Sequence, residues 1–184
     1  ASEMSKLMQQ YAGDGQHKRT PVKVKDFLRD IQPFLRDALP HSMTIEYEIP
    51  SQLPSVSCDA SQITQVMLNL VTNAYEAMEN DEGTIHIVAR SAPSLQVEKE
   101  YTRSVGDTID TDVCVVIEVK DKGKGIPEEE QERIFDPFYS TKDLGAGLGL
   151  ASAYGIVQKH SGWINVYSEL GEGTVFKIYL PVSE

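Results

Sequence analysis

Three segments of this chain combine residue types and spacings that can do chemistry. Residues 121–127 read Asp-Lys-Gly-Lys-Gly-Ile-Pro, and residues 145–150 read Gly-Ala-Gly-Leu-Gly-Leu. An apolar helical pattern some fifty residues before the first of these carries Asn69 and Asn73. A carboxylate on a glycine turn, a glycine turn that opens a helix, and two carboxamides one helical turn apart can together hold the base, phosphates and metal of one nucleotide. In this order, the segments predict an ATP site.

The asparagines belong to a polar stripe that runs beside the apolar face of the predicted helix. Its members recur every three or four residues and are mostly amides: Gln62, Gln65, Asn69, Asn73, Glu76 and Asn80. A solvated outer face is the alternative, although such a face is ordinarily rich in lysine and glutamate. A carboxamide oxygen is a neutral, hard ligand suited to Mg²⁺ that phosphates already hold. We therefore expect Asn69 and Asn73 to reach one metal–phosphate cluster.

Asp121 directly follows a predicted buried strand, at the end where ligands of α/β proteins usually bind. Its carboxylate can accept a hydrogen bond from an exocyclic amine and so select adenine over guanine. Gly123 and Gly125 remove side chains, so that a flat base can lie against the backbone. An ordinary Asp-x-Gly turn is the alternative.

The second glycine segment predicts an anion site, because free N–H groups and the dipole at the start of a helix attract phosphate. Its spacing matches neither the dinucleotide Gly-x-Gly-x-x-Gly pattern nor the P-loop. A flexible glycine loop is the alternative.

Lys142 is placed to meet a terminal phosphate as a point charge, or else is a surface lysine. Phe135 and Phe138 are expected to anchor the ends of a mobile segment. Thr174 opens the last strand and is expected to hydrogen-bond near Asp121, unless it is a plain strand threonine.

Composition narrows the class of protein. With 184 residues, 40% of them hydrophobic, the chain is most simply one globular domain. The net charge of −11 argues against a nucleic-acid partner, which would need a basic surface. Two cysteines, Cys58 and Cys114, lack metal-ligand spacing and suit buried reduced thiols in the cytosol. The longest apolar run is too short to cross a bilayer, and no signal peptide is visible.

The hydrophobic periodicities predict a single α/β sandwich, a mixed sheet covered by helices on one face. We expect helices over residues 24–39, interrupted by Pro33, over 62–80 behind an Asp59 N-cap, and over 149–160, with a short one after Pro127. Strands are expected over residues 43–49, 85–89, 113–119, 163–167 and 174–180. Residues 91–112 are predicted to form a surface insertion. Residues 1–12 are interpreted as the last turns of a longer helix, with a frayed tail as the alternative.

Together these segments resemble the catalytic ATP-binding domain of sensor histidine kinases, in the GHKL superfamily with gyrase B, MutL and chaperone ATPases. Residues 65–78 look like the family's asparagine box and residues 121–127 like its first glycine box. Residues 135–138 look like the phenylalanine box, residues 145–150 like the second glycine box, and residues 171–176 like the closing strand motif. The resemblance covers roughly residues 20 to 182.

The resemblance implies a Bergerat fold that binds ATP with Mg²⁺, in which Asn73 is the metal ligand and Asp121 reads the adenine amine. It also implies a short lid over residues 139–146. Glu76 stands where some members carry a basic residue, and this departure argues against a phosphate contact from the Glu76 side chain. The implied nucleotide-binding positions are Asn69, Asn73, Glu76, Ala77, Asp121, Gly123, Gly125, Ile126, Phe138, Thr141, Lys142, Gly145, Ala146, Gly147, Leu148, Gly149, Leu150 and Thr174, of which Asn69 and Lys142 are the expected catalytic residues.

One position bears on the type of reaction. GHKL ATPases place a water-activating glutamate one turn before the metal asparagine, and here that place is Asn69, which cannot act as a general base. The resemblance therefore favours phosphoryl transfer to a delivered histidine. A GHKL-type ATPase and a non-catalytic ATP-binding regulatory module stay open as alternatives.

The phosphoacceptor is not expected within this chain, because none of its four histidines has the acidic and proline context of the family's acceptor. Residues 1–20 are interpreted as the end of a dimerisation helix and its linker, and residues 21–184 as the catalytic domain. The implied partners are the protein's own dimerisation domain and the receiver domain of a response regulator. The full-length protein is expected to be a homodimer, whereas this fragment alone is compatible with a monomer. The domain is expected in the cytoplasm, and membrane attachment of the full-length protein stays open.

Overall fold

A computed structural model describes residues 18–79, 82–94, 112–139 and 149–183 of the chain. Its elements in chain order are β1 Thr20–Lys23, α1 Val24–Asp37, β2 Met43–Glu48, β3 Ser55–Cys58, α2 Ala60–Ala77, β4 Gly83–Pro93, β5 Val113–Asp121, α3 Glu128–Gln131, α4 Gly149–Lys159, β6 Trp163–Glu169 and β7 Gly173–Pro181. Five strands form one sheet in the order β2-β4-β5-β7-β6, and β1 pairs with β3 in a second sheet. The large sheet is mixed, because β2 runs parallel to β4 while its other pairs are antiparallel. The predicted α/β architecture is therefore confirmed.

The core lies between one face of the large sheet and the helices. Alternate residues of β5 and β7 point to this face and belong to one buried apolar cluster with residues of α1, α2 and α4: Val115, Ile117, Val119, Phe176, Ile178 and Leu180. Burial of these side chains is the main favourable contribution to the folded state. On the opposite face, the buried Glu118 carboxylate forms ion pairs with Arg90, Lys120 and Lys177.

Helix α2 begins as the sequence predicts. The Asp59 side chain accepts hydrogen bonds from the backbone N–H groups of Ser61 and Gln62, which satisfies two of the free donors in the first turn. The helix ends at Ala77, three residues earlier than the polar stripe suggests. Asn80, the last member of that stripe, lies outside the described residues.

Two predicted boundaries are wrong. Helix α1 continues through Pro33 rather than breaking there. Proline removes one backbone hydrogen bond, but Ile31 and Leu35 are buried on either side of it, and this tertiary packing holds the helix together. Strand β4 runs on to Pro93, so the first residues of the predicted insertion are strand, and residues 95–111 lie outside the described part.

His160 has a structural role at the end of α4. Its Nδ1 lies 2.8 Å from the carbonyl oxygen of Ile156, and its Nε2 accepts from the backbone N–H of Asp59 at 3.0 Å. The imidazole therefore joins the end of α4 to the start of α2. Across the described residues, no helix is long and apolar enough to cross a bilayer.

Candidate functional site

Three polar side chains form a row across the helix-facing side of the large sheet. In the antiparallel registers, Asp121 on β5 pairs with Thr174 on β7, and Thr174 pairs with Ser168 on β6. Paired residues present their side chains to the same face of a sheet. Asp121 and Thr174 are only 6% and 3% exposed, and Ser168 is half-buried. A row of polar groups at the edge of an apolar core indicates a binding site.

The carboxylate of Asp121 is only partly satisfied. Its Oδ1 accepts a hydrogen bond from the backbone N–H of Gly123 at 2.8 Å, whereas its buried Oδ2 has no hydrogen-bond partner among the described residues. Burial raises the pKa of Asp121 from 3.8 to about 6, although the backbone N–H dipoles of Gly123 and Thr174 favour the ionised form and act in the opposite direction. An unpaired buried acceptor is costly, and an N–H donor on a bound ligand would satisfy it.

The turn after Asp121 packs closely against two neighbouring elements. A Cβ atom on Gly123 would lie 2.5 Å from the carbonyl oxygen of Ala77 at the end of α2. A Cβ atom on Gly125 would lie 2.1 Å from the carbonyl oxygen of Glu169 at the end of β6, and Gly125 has a φ of +74°. The predicted reason for these glycines was room for a base. The structure adds another, because only glycine allows these close backbone approaches.

We expect Gly125→Ala to lower the free energy of unfolding by about 2 kcal/mol or more, since it adds both backbone strain and a clash with backbone. The matched control is Gly155→Ala within α4, where the added Cβ would meet no atom within 4 Å apart from its chain neighbours and the backbone of its own helix. That change should raise the free energy of unfolding by about 0.5–1 kcal/mol, because alanine favours a helix. Urea unfolding of both variants measures the two free energies of unfolding. Equal effects of the two changes would contradict the close approach at Gly125.

The two asparagines of α2 differ in their surroundings. Asn69 donates from Nδ2 to the carbonyl oxygen of Gly149, the first residue of α4, at 3.0 Å. Asn73 lies one turn further along and is half-buried, and its side chain makes no hydrogen bond with a described residue. Its carboxamide is thus available to a ligand, while that of Asn69 links α2 to the start of α4. Within the described ranges, no group of three or more His, Cys, Asp or Glu side chains could hold a metal ion by itself.

The remaining predicted site residues fall into two groups. Among those described, Ile126 and Leu150 pack against the core, Ala77 accepts from the backbone N–H of Lys124 at 3.0 Å, and Glu76 is exposed on α2. The others lie outside the described residues, and their roles stay predictions: Thr141, Lys142, Gly145, Ala146, Gly147 and Leu148.

Phe135 and Phe138 differ in their packing. Phe135 packs against Phe176 and Tyr154, with ring centroids 6.3 Å and 5.6 Å away. Phe138 is 78% exposed and has a φ of 66°, so it contributes no core packing in this structure. The expected anchoring by aromatic packing is therefore found for Phe135 and not for Phe138.

Sequence reasoning missed Ser168. Its hydroxyl lies 2.8 Å from Thr174 Oγ1 and accepts from the backbone N–H of Ile126 at 2.7 Å. A serine six residues before a strand threonine carries little signal by itself. Aligning the two strands across the turn at Gly171 would have placed it beside Thr174, because the hairpin fixes the register.

Comparison with known proteins shows the family of the chain. Residues 58–184 match the family described as histidine kinase-, DNA gyrase B-, and HSP90-like ATPase. Sensor kinase CckA from Brucella abortus (strain 2308) is 38% identical over 162 residues, covering 87% of this chain and 17% of CckA. Sporulation kinase E from Bacillus subtilis (strain 168) is 35% identical over 143 residues, covering 78% of this chain and 17% of that kinase. The chain thus spans about a sixth of the length of these two relatives.

Solved structures show the same fold. The catalytic domain of histidine kinase ThkA has a TM-score of 0.67 and 27% sequence identity, covering 90% of this chain and 96% of that domain. Full-length ShkA, solved in complex with AMPPNP, has a TM-score of 0.67 at 24% identity, covering 96% of this chain and 34% of ShkA. The chain therefore belongs to the family of histidine kinase-, DNA gyrase B- and HSP90-like ATPases, as an ATP-binding catalytic domain of the sensor histidine kinase type.

Proposed function

We propose that this chain binds ATP together with Mg²⁺ and, within a longer protein, transfers the γ-phosphoryl group to a histidine on a dimerisation domain. In this transfer the bond from the γ-phosphorus to its bridging oxygen breaks and ADP leaves. A bond to the imidazole nitrogen forms, and that nitrogen gives up its proton. The phosphoryl group would then pass to the receiver domain of a response regulator. The full-length protein would act as a homodimer, with this domain in the cytoplasm, where ATP is available.

The observation that carries the proposal is the unpaired Oδ2 of Asp121, a buried acceptor at the end of a central strand. The exocyclic amine of adenine is a donor of the required kind, and a carboxylate repels the carbonyl oxygen that guanine has at the same place. Gly123 and Gly125 keep side chains away from the backbone turn beside it. This region would therefore receive the base.

Asn73 supports the proposed binding of Mg²⁺ and the phosphates. Its carboxamide has no partner among the described residues and is a hard oxygen ligand, which suits Mg²⁺ held mainly by phosphate oxygens. When bound, Mg²⁺ would neutralise phosphate charge as the phosphoryl group leaves. Lys142 would supply a further positive charge there, and the amides of residues 145–149 would face the phosphates.

Asn69 supports transfer to a delivered nucleophile over rapid hydrolysis. Its carboxamide cannot take a proton from water, and its Nδ2 donates to the carbonyl oxygen of Gly149. We therefore propose that Asn69 positions the start of α4 beside the metal-binding turn of α2. In this role it acts through α4 and not as a base.

The test combines this chain with the histidine-bearing dimerisation domain of the parent protein and ATP labelled at the γ-phosphate. We expect label that is stable to base and labile to acid on the dimerisation domain, and none when its acceptor histidine is replaced by glutamine. Binding of ATP without labelling would instead indicate a regulatory module. Fast phosphate release without the acceptor would indicate an ATPase.

We also expect ATP affinity to fall at acidic pH, because the adenine amine needs an ionised Asp121. The pKa of this carboxyl group is raised to about 6, so the ionised fraction is nearly complete at pH 8 and falls about tenfold per unit below pH 6. Calorimetry between pH 5.5 and 8 with saturating Mg²⁺ measures the slope. Asp121→Asn is the control, since it keeps the titration of ATP itself and removes that of the carboxylate. Identical slopes in both proteins would contradict the assignment.

A further inference from the structure

The Ser168 hydroxyl has its hydrogen-bonding capacity completely filled. Its Oγ lies 2.9 Å from the carbonyl oxygen of Gly173, 2.7 Å from the backbone nitrogen of Ile126 and 2.8 Å from Thr174 Oγ1. A serine hydroxyl has one hydrogen and two lone pairs. A carbonyl can only accept and a backbone N–H can only donate, so Ser168 donates to Gly173 and accepts from Ile126.

These assignments fix the direction of the third contact. The one hydrogen of Ser168 is already directed at Gly173, so the hydroxyl of Thr174 must donate to Ser168. Thr174 Oγ1 then has only lone pairs for any other partner. Its strand neighbour Asp121 has an unpaired carboxylate oxygen, which is also an acceptor above the pKa of that group. The two side chains therefore present acceptors only.

We propose that Ser168 is a positioning residue that holds the Thr174 hydroxyl as an acceptor, and that it thereby raises the preference of the site for adenine over guanine and hypoxanthine. This inference rests on the proposed binding of ATP at this site. Adenine carries an amine with two N–H donors at position 6 of the ring, whereas guanine and hypoxanthine carry a carbonyl oxygen there. Acceptors favour the amine and repel the oxygen. A threonine hydroxyl that could turn its hydrogen toward the ligand would tolerate both.

Gln131 provides a matched control. Its Nε2 donates to the carbonyl oxygens of Ile126 and Ser168, at 2.9 Å and 3.0 Å. Gln131 thus fastens the same turn to β6 as Ser168 does, but it makes no contact with the Thr174 hydroxyl. Gln131→Ala should loosen the turn without changing which way the threonine hydrogen points.

The experiment measures dissociation constants of ATP, GTP and ITP at pH 8, by competition with a fluorescent ATP analogue. We expect Ser168→Ala to weaken ATP binding about fivefold to tenfold and to leave GTP and ITP unchanged or slightly tighter, the size of one hydrogen bond. The preference for ATP over ITP should therefore fall by about the same factor. Gln131→Ala should shift all three constants alike. Ser168→Thr, which keeps the hydroxyl, should retain the preference of the original chain.

A second single substitution, at Thr174, keeps the proposal testable if Ser168→Ala is poorly folded. Thr174→Val removes the acceptor itself and should lower the ATP preference as much as Ser168→Ala does. Combining the two should lower it no further, because both act through one hydroxyl. Equal loss for all three nucleotides in Ser168→Ala, or additive losses in the double variant, would overturn the inference. Failure of the unchanged chain to bind any of the three would instead refute the proposed function.

Discussion

Replacing Asn73 by alanine is expected to weaken binding of ATP in the presence of Mg²⁺ by about 100-fold or more. Loss of residues that only support metal ligands typically lowers metal affinity or activity about 10- to 100-fold, so loss of a direct ligand should do at least as much. Asn73 is half-buried on α2, and its carboxamide has no partner among the described residues, so the substitution breaks no hydrogen bond there. Calorimetry with ATP, with and without Mg²⁺, gives the measurement.

The same titration with ADP in the absence of divalent ions separates the metal from the base. Affinity for metal-free ADP should change only about twofold, because the substitution leaves the proposed adenine contact of Asp121 in place. Gln65→Ala removes another amide from the same stripe, two helical turns before Asn73. The one weak hydrogen bond of Gln65 is with Ser152, at 3.4 Å. It should leave both affinities unchanged. Unaltered ATP affinity in Asn73→Ala would exclude the proposed ligand role.

Much of the fold follows from local sequence signals. Asp59 marks the start of α2, because a side-chain carboxylate satisfies free amides of a first turn. The alternation of apolar residues in β2 and β4 also shows directly in the sequence, since side chains of a strand alternate between faces. These signals depend only on near neighbours along the chain.

What escaped prediction depends on contacts distant in sequence. β1 and β3 are four residues each, and they pair with one another across more than thirty residues of chain. Neither carries enough periodicity to be recognised alone. The parallel pairing of β2 with β4 likewise brings together strands separated by α2. The helix through Pro33 also escaped prediction. The backbone preference of proline disfavours a helix interior, and only the packing of the surrounding residues keeps α1 continuous there.

The site shows the same division between what residue types indicate and what orientation decides. Asn69 and Asn73 share one stripe of α2, which the helical period predicts. The difference in their hydrogen bonding could not be predicted, because the hydrogen bond of Asn69 depends on where α4 begins in space. Ser168 escaped for a related reason, since its importance comes from the strand register that places it beside Thr174. Residue types therefore predict the kind of site, and tertiary packing decides which contacts each residue makes.

Asp121→Asn is expected to weaken ATP binding and to stabilise the ligand-free protein at the same time. Asparagine keeps an oxygen for the Gly123 N–H, but it presents an amide where an ionised acceptor is needed. We expect ATP affinity at pH 8 to fall by about 30-fold or more, because a hydrogen bond to a charged group contributes about 1.5–3 kcal/mol and its replacement leaves two donors facing each other. Calorimetry with the same protein preparations measures the loss.

The gain in stability follows from the raised pKa of Asp121. Burial holds the pKa near 6 in the folded chain, against 3.8 as its ordinary value, so ionisation opposes folding. The stability that the protonated group contributes is fully present below about pH 3.8 and is lost as pH rises through about 6. At pH 7, Asp121→Asn should raise the free energy of unfolding by about 1–3 kcal/mol, and this gain should shrink as pH is lowered toward 5. Urea unfolding of both proteins at pH 7 and pH 5 measures this difference in stability. A variant that loses both binding and stability at pH 7 would show that the carboxylate supports the fold, whereas the opposed changes expected here would show that it is kept for its ligand.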